Sequence, residues 1–316
     1  MVDIKPTQIC VQNPIFGPRN LGHYFGSMAD LVKNQYKYKS IVIIDDVMAL
    51  FMNPKEASSI KNRSYFVIQD FINSGFDYQK NDIILTSQIL NQLVELIHIY
   101  GNFVDYKHCR YLYDNSFLGG LKSYQREELG LSLYPSIFEI LYPQLGMPAL
   151  SLGLEVELFQ GGEEIMGYTY IMKHISAQIR NKINKYNFSP EYEPSSSPHL
   201  LGLDGTYMFQ HNSIFLAEEV EDISAKIDSI TDKKVLIDWF KALEYFDISK
   251  RLEENDDYAY EKLLLKEILV DKLKIFRDNK ISINHINEIL NKSKENISEK
   301  LEQSIIFLKD NFFNIQ

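Results

Sequence analysis

The amino-acid sequence predicts a doubly wound α/β fold built on a parallel β-sheet, followed by an all-helical C-terminal region. Residues 41–44 form an uninterrupted apolar run, which is typical of a strand buried on both faces of a parallel sheet. A similar run lies at residues 83–86, and helical patterns at 54–75 and about 90–100 alternate with these strands. Residues 217–316 show only helical periodicity.

Composition narrows the class of protein. The chain has 316 residues, of which 45% are hydrophobic and 24% charged, as in a globular protein with room for about two domains. It has no apolar run of 18 residues and no basic-then-apolar start. Cys10 and Cys109 are too few for a disulfide framework or a cysteine zinc site. We therefore expect a cytoplasmic protein with no membrane partner and no metal held by the chain itself.

Further boundaries follow from local patterns. We expect a first domain at 1–198, a connecting loop at 199–216 and a helical domain at 217–316 with three to five helices and no strand. The Pro- and Ser-rich stretch 190–198 predicts a linker. Other predicted elements are a helical insertion or lid at 105–130, a helix beginning after 135, a strand at 154–159 and a helix at 165–183.

The most informative stretch spans residues 9–26. A short apolar strand leads into a Pro- and Gly-containing turn, which places Gly22 and His23 at the start of a helix. Unpaired N–H groups and the macrodipole at a helix N-terminus favour an anion. Glycine lets phosphate oxygens approach the backbone, and histidine adds a donor. The stretch is either a phosphate site or an ordinary strand-to-helix junction with a surface histidine.

A family pattern appears in order along residues 8–228. Residues 20–23, Asn-Leu-Gly-His, resemble the HIGH signature of class I aminoacyl-tRNA synthetases. The longer stretch 13–26 is similar to the form found in the tryptophanyl and tyrosyl branch. Further similar segments lie at 44–46 with 49–50, 85–88, 134–135, 161–164 and 201–205.

This resemblance implies ATP-dependent formation of an aminoacyl adenylate, with ATP and Mg²⁺ as cofactors and a homodimer as the assembly. The substrate would be an amino acid or an aminoacyl compound. By this resemblance the catalytic residue would be His23, with Arg19 as a candidate to compensate for charges that the sequence lacks. The nucleotide contacts would be Asn13, Gly17, Asn20, Gly22, His23, Gly161, Glu163 and Met208, and the amino-acid contacts would be Asp45, Gln88, Tyr134, Phe138, Leu141 and Glu164.

The sequence departs from the family at the KMSKS loop. Residues 206–212 read Thr-Tyr-Met-Phe-Gln-His-Asn, so that only Met208 fits and the two lysines are replaced by Tyr207 and Gln210. In the family those lysines neutralise the leaving pyrophosphate, and loss of one such donor typically costs about 10²–10³ in rate. Arg19 either replaces this charge or is a solvated surface arginine.

The amino-acid pocket departs as well. Leu141 occupies the place of an aspartate that accepts a hydrogen bond from the indole or phenol in the family, and Glu139 would point elsewhere on a helix. Phe138 and Leu141 predict a more apolar pocket, so we expect a substrate other than tryptophan. Glu163 and Glu164 either hold a substrate ammonium or a ribose hydroxyl, or are solvated.

Charge makes tRNA an unfavoured partner. Residues 217–316 carry 14 Lys and 2 Arg against 12 Glu and 10 Asp, a net charge of −6, within a chain of net charge −10. Two hypotheses remain. One is a ligase that transfers the activated acid to tRNA, to a small amine or to a peptide. The other is a non-charging homologue that binds a nucleotide, an adenylate or aminoacyl-tRNA as a regulator or transferase.

Overall fold

The N-terminal part of the chain is built on a parallel β-sheet, as predicted. The computed structural model describes residues 5–128, 131, 134–161, 166–183, 191–194, 200–254 and 257–312. Within these residues the sheet has five strands in the order β3-β2-β1-β4-β5, and each adjacent pair is parallel. The strands are β1 (Thr7–Gln12), β2 (Lys39–Ile44), β3 (Asp82–Leu85), β4 (Leu158–Gly161) and β5 (Glu191–Pro194).

Helices connect the strands and form the C-terminal region. The first part contains α1 (Leu21–His23), α2 (Ala29–Asn34), α3 (Asp46–Met52), α4 (Ala57–Asn73), α5 (Leu90–Gly101), α6 (Tyr106–Asp114), α7 (Phe117–Gly120), α8 (Ser123–Glu128), α9 (Ile137–Gly153) and α10 (Met166–Lys182). A π-helical turn, Tyr24–Met28, joins α1 to α2. The second part contains α11 (Val220–Ser229), α12 (Lys233–Ala242), α13 (Phe246–Glu254), α14 (Ala259–Asp278) and α15 (Ile283–Phe312).

Both faces of the sheet are covered, which explains the uninterrupted apolar run in β2. Ile41 and Ile43 belong to one buried cluster with residues of α5, α9, α10 and α15. Val42 and Ile44 belong to a second cluster with residues of α4, α12 and α14. Successive side chains of a strand point to opposite faces, so each face of β2 needs its own apolar residues.

The C-terminal helices pack against the sheet. The Oγ atom of Ser293 on α15 accepts a hydrogen bond of 3.0 Å from the Ile83 N–H on the edge strand β3. Asn296 donates to the Asp82 carboxylate at 3.1 Å. The five C-terminal helices agree with the expected number, and the described part of this region contains no strand. The division into domains at 198 and 216 stays a prediction.

Two sequence predictions need correction. The strand expected at 154–159 begins only at Leu158, because α9 continues to Gly153 and Glu155 adopts a left-handed conformation with φ of 52°. The predicted linker at 190–198 contains β5, which pairs with β4 at the sheet edge. Pro194 is tolerated there because an edge strand has one side without ladder hydrogen bonds.

A buried ion pair fixes the helical insertion to α9. Arg126 on α8 donates to both carboxylate oxygens of Glu139 at 2.8 Å, and the Tyr113 hydroxyl on α6 donates to the same carboxylate at 2.8 Å. Glu139 therefore serves the insertion, as its helical position predicted. In the part of the chain that the structure describes, no helix is both long and apolar enough to cross a membrane.

Candidate functional site

The turn after β1 is held rigidly by its own polar groups. The Asn13 side chain accepts a hydrogen bond from Ile15 N–H at 2.9 Å and caps a short 3₁₀ turn. Gly17 then adopts φ of 75°, a left-handed conformation that favours glycine. The Arg19 guanidinium returns to donate to the Asn13 carbonyl at 2.6 Å. These contacts deliver the chain to Asn20, where the helix begins.

Asn20 caps this helix and orients His23. Its Oδ1 atom accepts from the His23 backbone N–H at 3.1 Å and lies 2.7 Å from His23 Nδ1. The Asn20 backbone N–H also approaches Nδ1, at 3.4 Å. We assign the proton to Nδ1 from the shorter contact with the Oδ1 acceptor, so that Nε2 keeps its lone pair. Burial and then the nearby Arg19 charge hold the pKa of His23 well below its usual value of 6.5. His23 is therefore neutral near pH 7.

The first N–H groups of the helix are already occupied by the chain itself. Leu21 N–H donates to the Ile214 carbonyl at 3.0 Å. Gly22 N–H donates to the Met208 sulfur at 3.1 Å, and a Cβ atom at Gly22 would lie only 3.2 Å from that sulfur. The sulfur of methionine is a weak acceptor. Gly22 therefore offers the N–H that an incoming anion would most readily capture.

The loop at 200–216, where the sequence predicts a KMSKS-like segment, is densely hydrogen-bonded. Asn212 is its centre: Nδ2 donates to Asp204 at 2.8 Å and to the Tyr207 carbonyl at 3.2 Å, and Oδ1 accepts from Phe209 N–H at 2.6 Å. Gly202 is required here, since a Cβ atom would come within 2.2 Å of Asn212. These contacts hold Met208 in place against the helix.

Arg19 lies inside the protein, and its reading as a surface arginine is wrong. Its side chain is 1% exposed, and Nε has no hydrogen-bond partner among the described residues. Burial lowers the pKa of Arg19 to about 10, while burial raises the pKa of Asp70 on α4 to about 7 despite the Arg19 charge. The hydrogen bond from Arg19 to the Asn13 carbonyl supports the turn. A catalytic role for Arg19 stays a prediction.

The carboxyl end of β2 brings a second polar group to the same edge of the sheet. The Asp45 N–H donates to the Gln12 carbonyl of β1 at 2.8 Å. The Oδ1 atom of Asp45 accepts from Met48 N–H at 3.1 Å, from the Thr86 hydroxyl at 3.0 Å and from the Tyr142 hydroxyl at 3.1 Å. Burial raises the pKa of Asp45 to about 6. Most Asp45 side chains are then ionised at pH 7.

Aromatic rings adjoin Asp45. Phe51 on α3 stacks on Phe138 with a centroid distance of 5.2 Å, and it meets Tyr142 edge to face at 5.3 Å. Leu141, the residue before Tyr142, is partly buried. The structure thus brings Asp45, Phe138 and the Leu141 segment of α9 to one region.

The structure shows no ligand-binding arrangement for the remaining predicted site residues that it describes. Gln88 accepts from Leu85 N–H at 3.3 Å and so stabilises its own turn, while Tyr134 is 83% exposed. Gly161 is the last residue of β4. Glu163 and Glu164 lie outside the described residues. The contacts of all these residues with ligands stay predictions.

Sequence reasoning missed Tyr142, Thr86 and Asp70. Thr86 lies in the family-like segment 85–88 but was not itself assigned a role, and no motif marks the other two. Their roles depend on residues far away in the chain: Tyr142 meets Asp45 across 97 positions. Among the residues that the structure describes, no group of three or more His, Cys, Asp or Glu side chains is arranged to hold a metal ion.

Comparison with known proteins agrees with this architecture. The family model of class I tRNA synthetases (W and Y) matches residues 17–304. The tryptophan–tRNA ligase of Streptococcus mutans is 27% identical over 279 residues, which cover 81% of this chain and 77% of that protein.

Solved structures share the fold. Tryptophanyl-tRNA synthetase from Campylobacter jejuni, complexed with ADP and tryptophan, gives a TM-score of 0.78 at 20% identity, covering 96% of this chain and 98% of that one. Tyrosyl-tRNA synthetase from Archaeoglobus fulgidus, complexed with L-tyrosine, gives 0.68 at 18% identity, with 87% and 90% covered. The chain belongs to the class I tRNA synthetase family that comprises the tryptophan and tyrosine (W and Y) enzymes.

Proposed function

We propose that the protein activates an amino acid with ATP, forming an aminoacyl adenylate and pyrophosphate. The observation that carries the proposal is the helix start at Asn20, where Gly22 N–H and an oriented His23 lie at the carboxyl edge of a parallel sheet. In open α/β sheets this edge is where ligands bind. Asp45 at the end of the neighbouring strand supplies a polar group on the amino-acid side.

The residues at the helix start fit the phosphates of a nucleotide after one change, which is the departure of Met208 from Gly22 N–H. ATP would supply an electrophilic α-phosphate for the amino-acid carboxylate, with Mg²⁺ carried on its polyphosphate. Gly22 N–H and the helix N-terminus would bind phosphate oxygens. His23 would donate from Nε2 after taking up a proton, since Nδ1–H is already committed to Asn20.

The experiment is ATP–pyrophosphate exchange with each standard amino acid in turn. Activity with one or a few acids supports the proposal. If no amino acid supports exchange but a stable aminoacyl adenylate analogue still binds, the result contradicts adenylation and favours the alternative below. If neither ATP nor any analogue binds, the result contradicts both the adenylation hypothesis and the alternative.

The alternative is a non-charging homologue that binds an adenylate or aminoacyl-tRNA as a regulator or transferase. It is favoured by Met208 on the phosphate-binding N–H and by Tyr207 and Gln210 in place of lysines. The double variant Tyr207→Lys/Gln210→Lys tests it. A rise of about tenfold or more in exchange would indicate that pyrophosphate departure limits the natural protein. An unchanged rate would remove the lost lysines from the explanation.

The acceptor of the activated acid is proposed only by class: tRNA, a small amine or a peptide. The net charge of −6 over residues 217–316 disfavours tRNA. A homodimer is also proposed, supported by exposed apolar side chains at the start of α9, Ile137 and Phe138. Light scattering of the purified chain would give its mass in solution.

A further inference from the structure

Asp45 differs from the other carboxylates near the site because only one of its two oxygens is used. All three of its described side-chain hydrogen bonds, from Met48 N–H, Thr86 and Tyr142, fall on Oδ1. In the described part of the chain, Oδ2 has no partner. The side chain as a whole is 3% exposed. Oδ2 is not among the unpartnered atoms that are sealed from solvent, so at least a small part of its surface is accessible.

The neighbouring carboxylate provides the contrast. Asp46 Oδ1 accepts from Ser87 N–H at 2.9 Å, and it lies 2.9 Å from the Thr86 hydroxyl, whose single proton it shares with Asp45 Oδ1. Its Oδ2 accepts from the Ser87 hydroxyl at 2.5 Å. Both oxygens of Asp46 therefore accept hydrogen bonds within the protein, whereas Oδ2 of Asp45 accepts none from the described residues.

A buried carboxylate with a free oxygen is costly unless a donor or a positive charge meets it. Burial raises the pKa of Asp45 to about 6, but the group is still mostly ionised near pH 7. Tyr142, whose hydroxyl donates to Asp45, meets Phe51 edge to face, and Phe51 in turn stacks on Phe138. Aromatic faces beside a carboxylate suit a cation, which both groups attract.

The position of Leu141 on α9 lies next to the residue that holds Asp45. The family acceptor is missing at that position, but Tyr142, the next residue on α9, holds Asp45 by a hydrogen bond of 3.1 Å. A buried acceptor thus lies beside α9 after all, supplied by β2 instead of by the helix. This acceptor carries a charge and belongs to a region lined by apolar and aromatic side chains.

We infer that Asp45 selects the amino-acid substrate by binding a protonated nitrogen of its side chain through Oδ2, so that the substrate is a cationic amino acid of the lysine or arginine type. The inference rests on the proposed function, since it concerns the amino-acid half of the same site.

The test measures binding of stable aminoacyl-sulfamoyl adenosines by calorimetry. The key pair is the lysyl analogue and the norleucyl analogue, which differ mainly in the side-chain ammonium; arginyl and tryptophanyl analogues complete the set. We expect the wild-type protein to bind the lysyl or arginyl analogue about 10²-fold more tightly than the norleucyl analogue. This comparison needs no variant, so it stands even where a substitution at Asp45 impairs folding.

Asp45→Asn provides the second arm. The substitution keeps an Oδ1 acceptor for the internal contacts but replaces the free oxygen with an NH₂ donor. We expect it to abolish the preference for the cationic analogue. The matched control is Asp46→Asn, whose oxygens are both used internally, and there the ratio between lysyl and norleucyl analogues should persist.

Three results would overturn the inference. One is equal binding of lysyl, arginyl and norleucyl analogues to the wild-type protein. Another is tightest binding of the tryptophanyl analogue, which would assign Oδ2 to a neutral N–H. The third is an equal loss for every analogue in Asp45→Asn, which would assign it to the α-ammonium group. A preference for cationic analogues without any pyrophosphate exchange would contradict the proposed adenylation but uphold the inference.

Discussion

The candidate site has two halves, one proposed to bind the nucleotide and the other the amino acid, and they use their hydrogen-bonding groups differently. At the nucleotide half, the N–H groups of Leu21, Gly22 and His23 are all taken up by acceptors of the chain itself. At the amino-acid half, Asp45 keeps one oxygen without a partner in the described structure. The difference teaches that the two ligands meet different barriers. Under the proposed function, a phosphate has to displace Met208 from Gly22 N–H, whereas a donor on the amino acid meets an Asp45 oxygen that makes no hydrogen bond within the described structure.

The largest expected effect is at His23. Replacing His23 by Ala should lower the exchange rate by about 10²–10³-fold, because it removes a donor to the phosphates. His23→Asn is the control, since it keeps a side-chain donor, and it should retain more activity than Ala. Equal exchange rates for Ala and wild type would remove His23 from the mechanism.

Comparison of the wild-type protein with His23→Asn also tests whether His23 takes up a proton when phosphate binds. Because His23 is neutral with its proton on Nδ1, phosphate binding at Nε2 requires a further proton. The affinity of the wild-type protein for ATP, relative to that of His23→Asn, should therefore rise as the pH falls from 8 to 6. Titration of ATP itself cancels in this ratio. A ratio independent of pH would show that Nε2 does not donate to the phosphates.

The raised pKa of Asp45 should make the stability of the protein depend on pH. The pKa of Asp45 is raised from 3.8 to about 6, so the native protein holds this proton more tightly than the unfolded chain does. The contribution of Asp45 to the free energy of unfolding should then fall by about 2 kcal/mol as the pH rises from about 4 to 6, which is about two thirds of its loss over the whole titration. Chemical denaturation of wild type and Asp45→Asn at both pH values measures it. Parallel pH profiles for the two proteins would contradict the raised pKa.

The smallest expected effect is at Met208. Replacing Met208 by Leu keeps the buried volume but removes the sulfur acceptor, at a cost in stability below about 1.5 kcal/mol. Gly22 N–H would then lack a partner, and nucleotide affinity should rise by about tenfold, equivalent to about one hydrogen bond. Leu203→Met, in the same loop but away from this N–H, is the control. An unchanged affinity in Met208→Leu would mean that the sulfur does not compete with phosphate.

Local patterns predicted much of the fold because they depend on neighbouring residues. The apolar run of β2 and the turn from Asn13 to Asn20 follow directly from side-chain type and from Gly17. The strand at 154–159 was misplaced because its alternating pattern also fits the end of a helix, with Glu155 in a left-handed conformation.

The candidate site was predictable only in part. The sequence marked Gly22, His23, Asp45 and Met208 individually, but not the contacts among them. Met208 meets Gly22 across 186 positions, and Asp45 meets Tyr142 across 97. Such contacts depend on how distant elements pack, and no local rule of spacing records them. Arg19 shows the same limit, since the carboxyl group that interacts with its charge, Asp70, lies far away in sequence on α4.

The position of α15 has a consequence for the integrity of the whole chain. An open strand edge recruits other chains, and here the last long helix shields the outer side of β3 through Ser293 and Asn296. A truncated protein that stopped before Ile283 would leave Ile83 N–H bare. Such a fragment should self-associate during expression, so the sheet and the terminal helix have to be produced as one polypeptide.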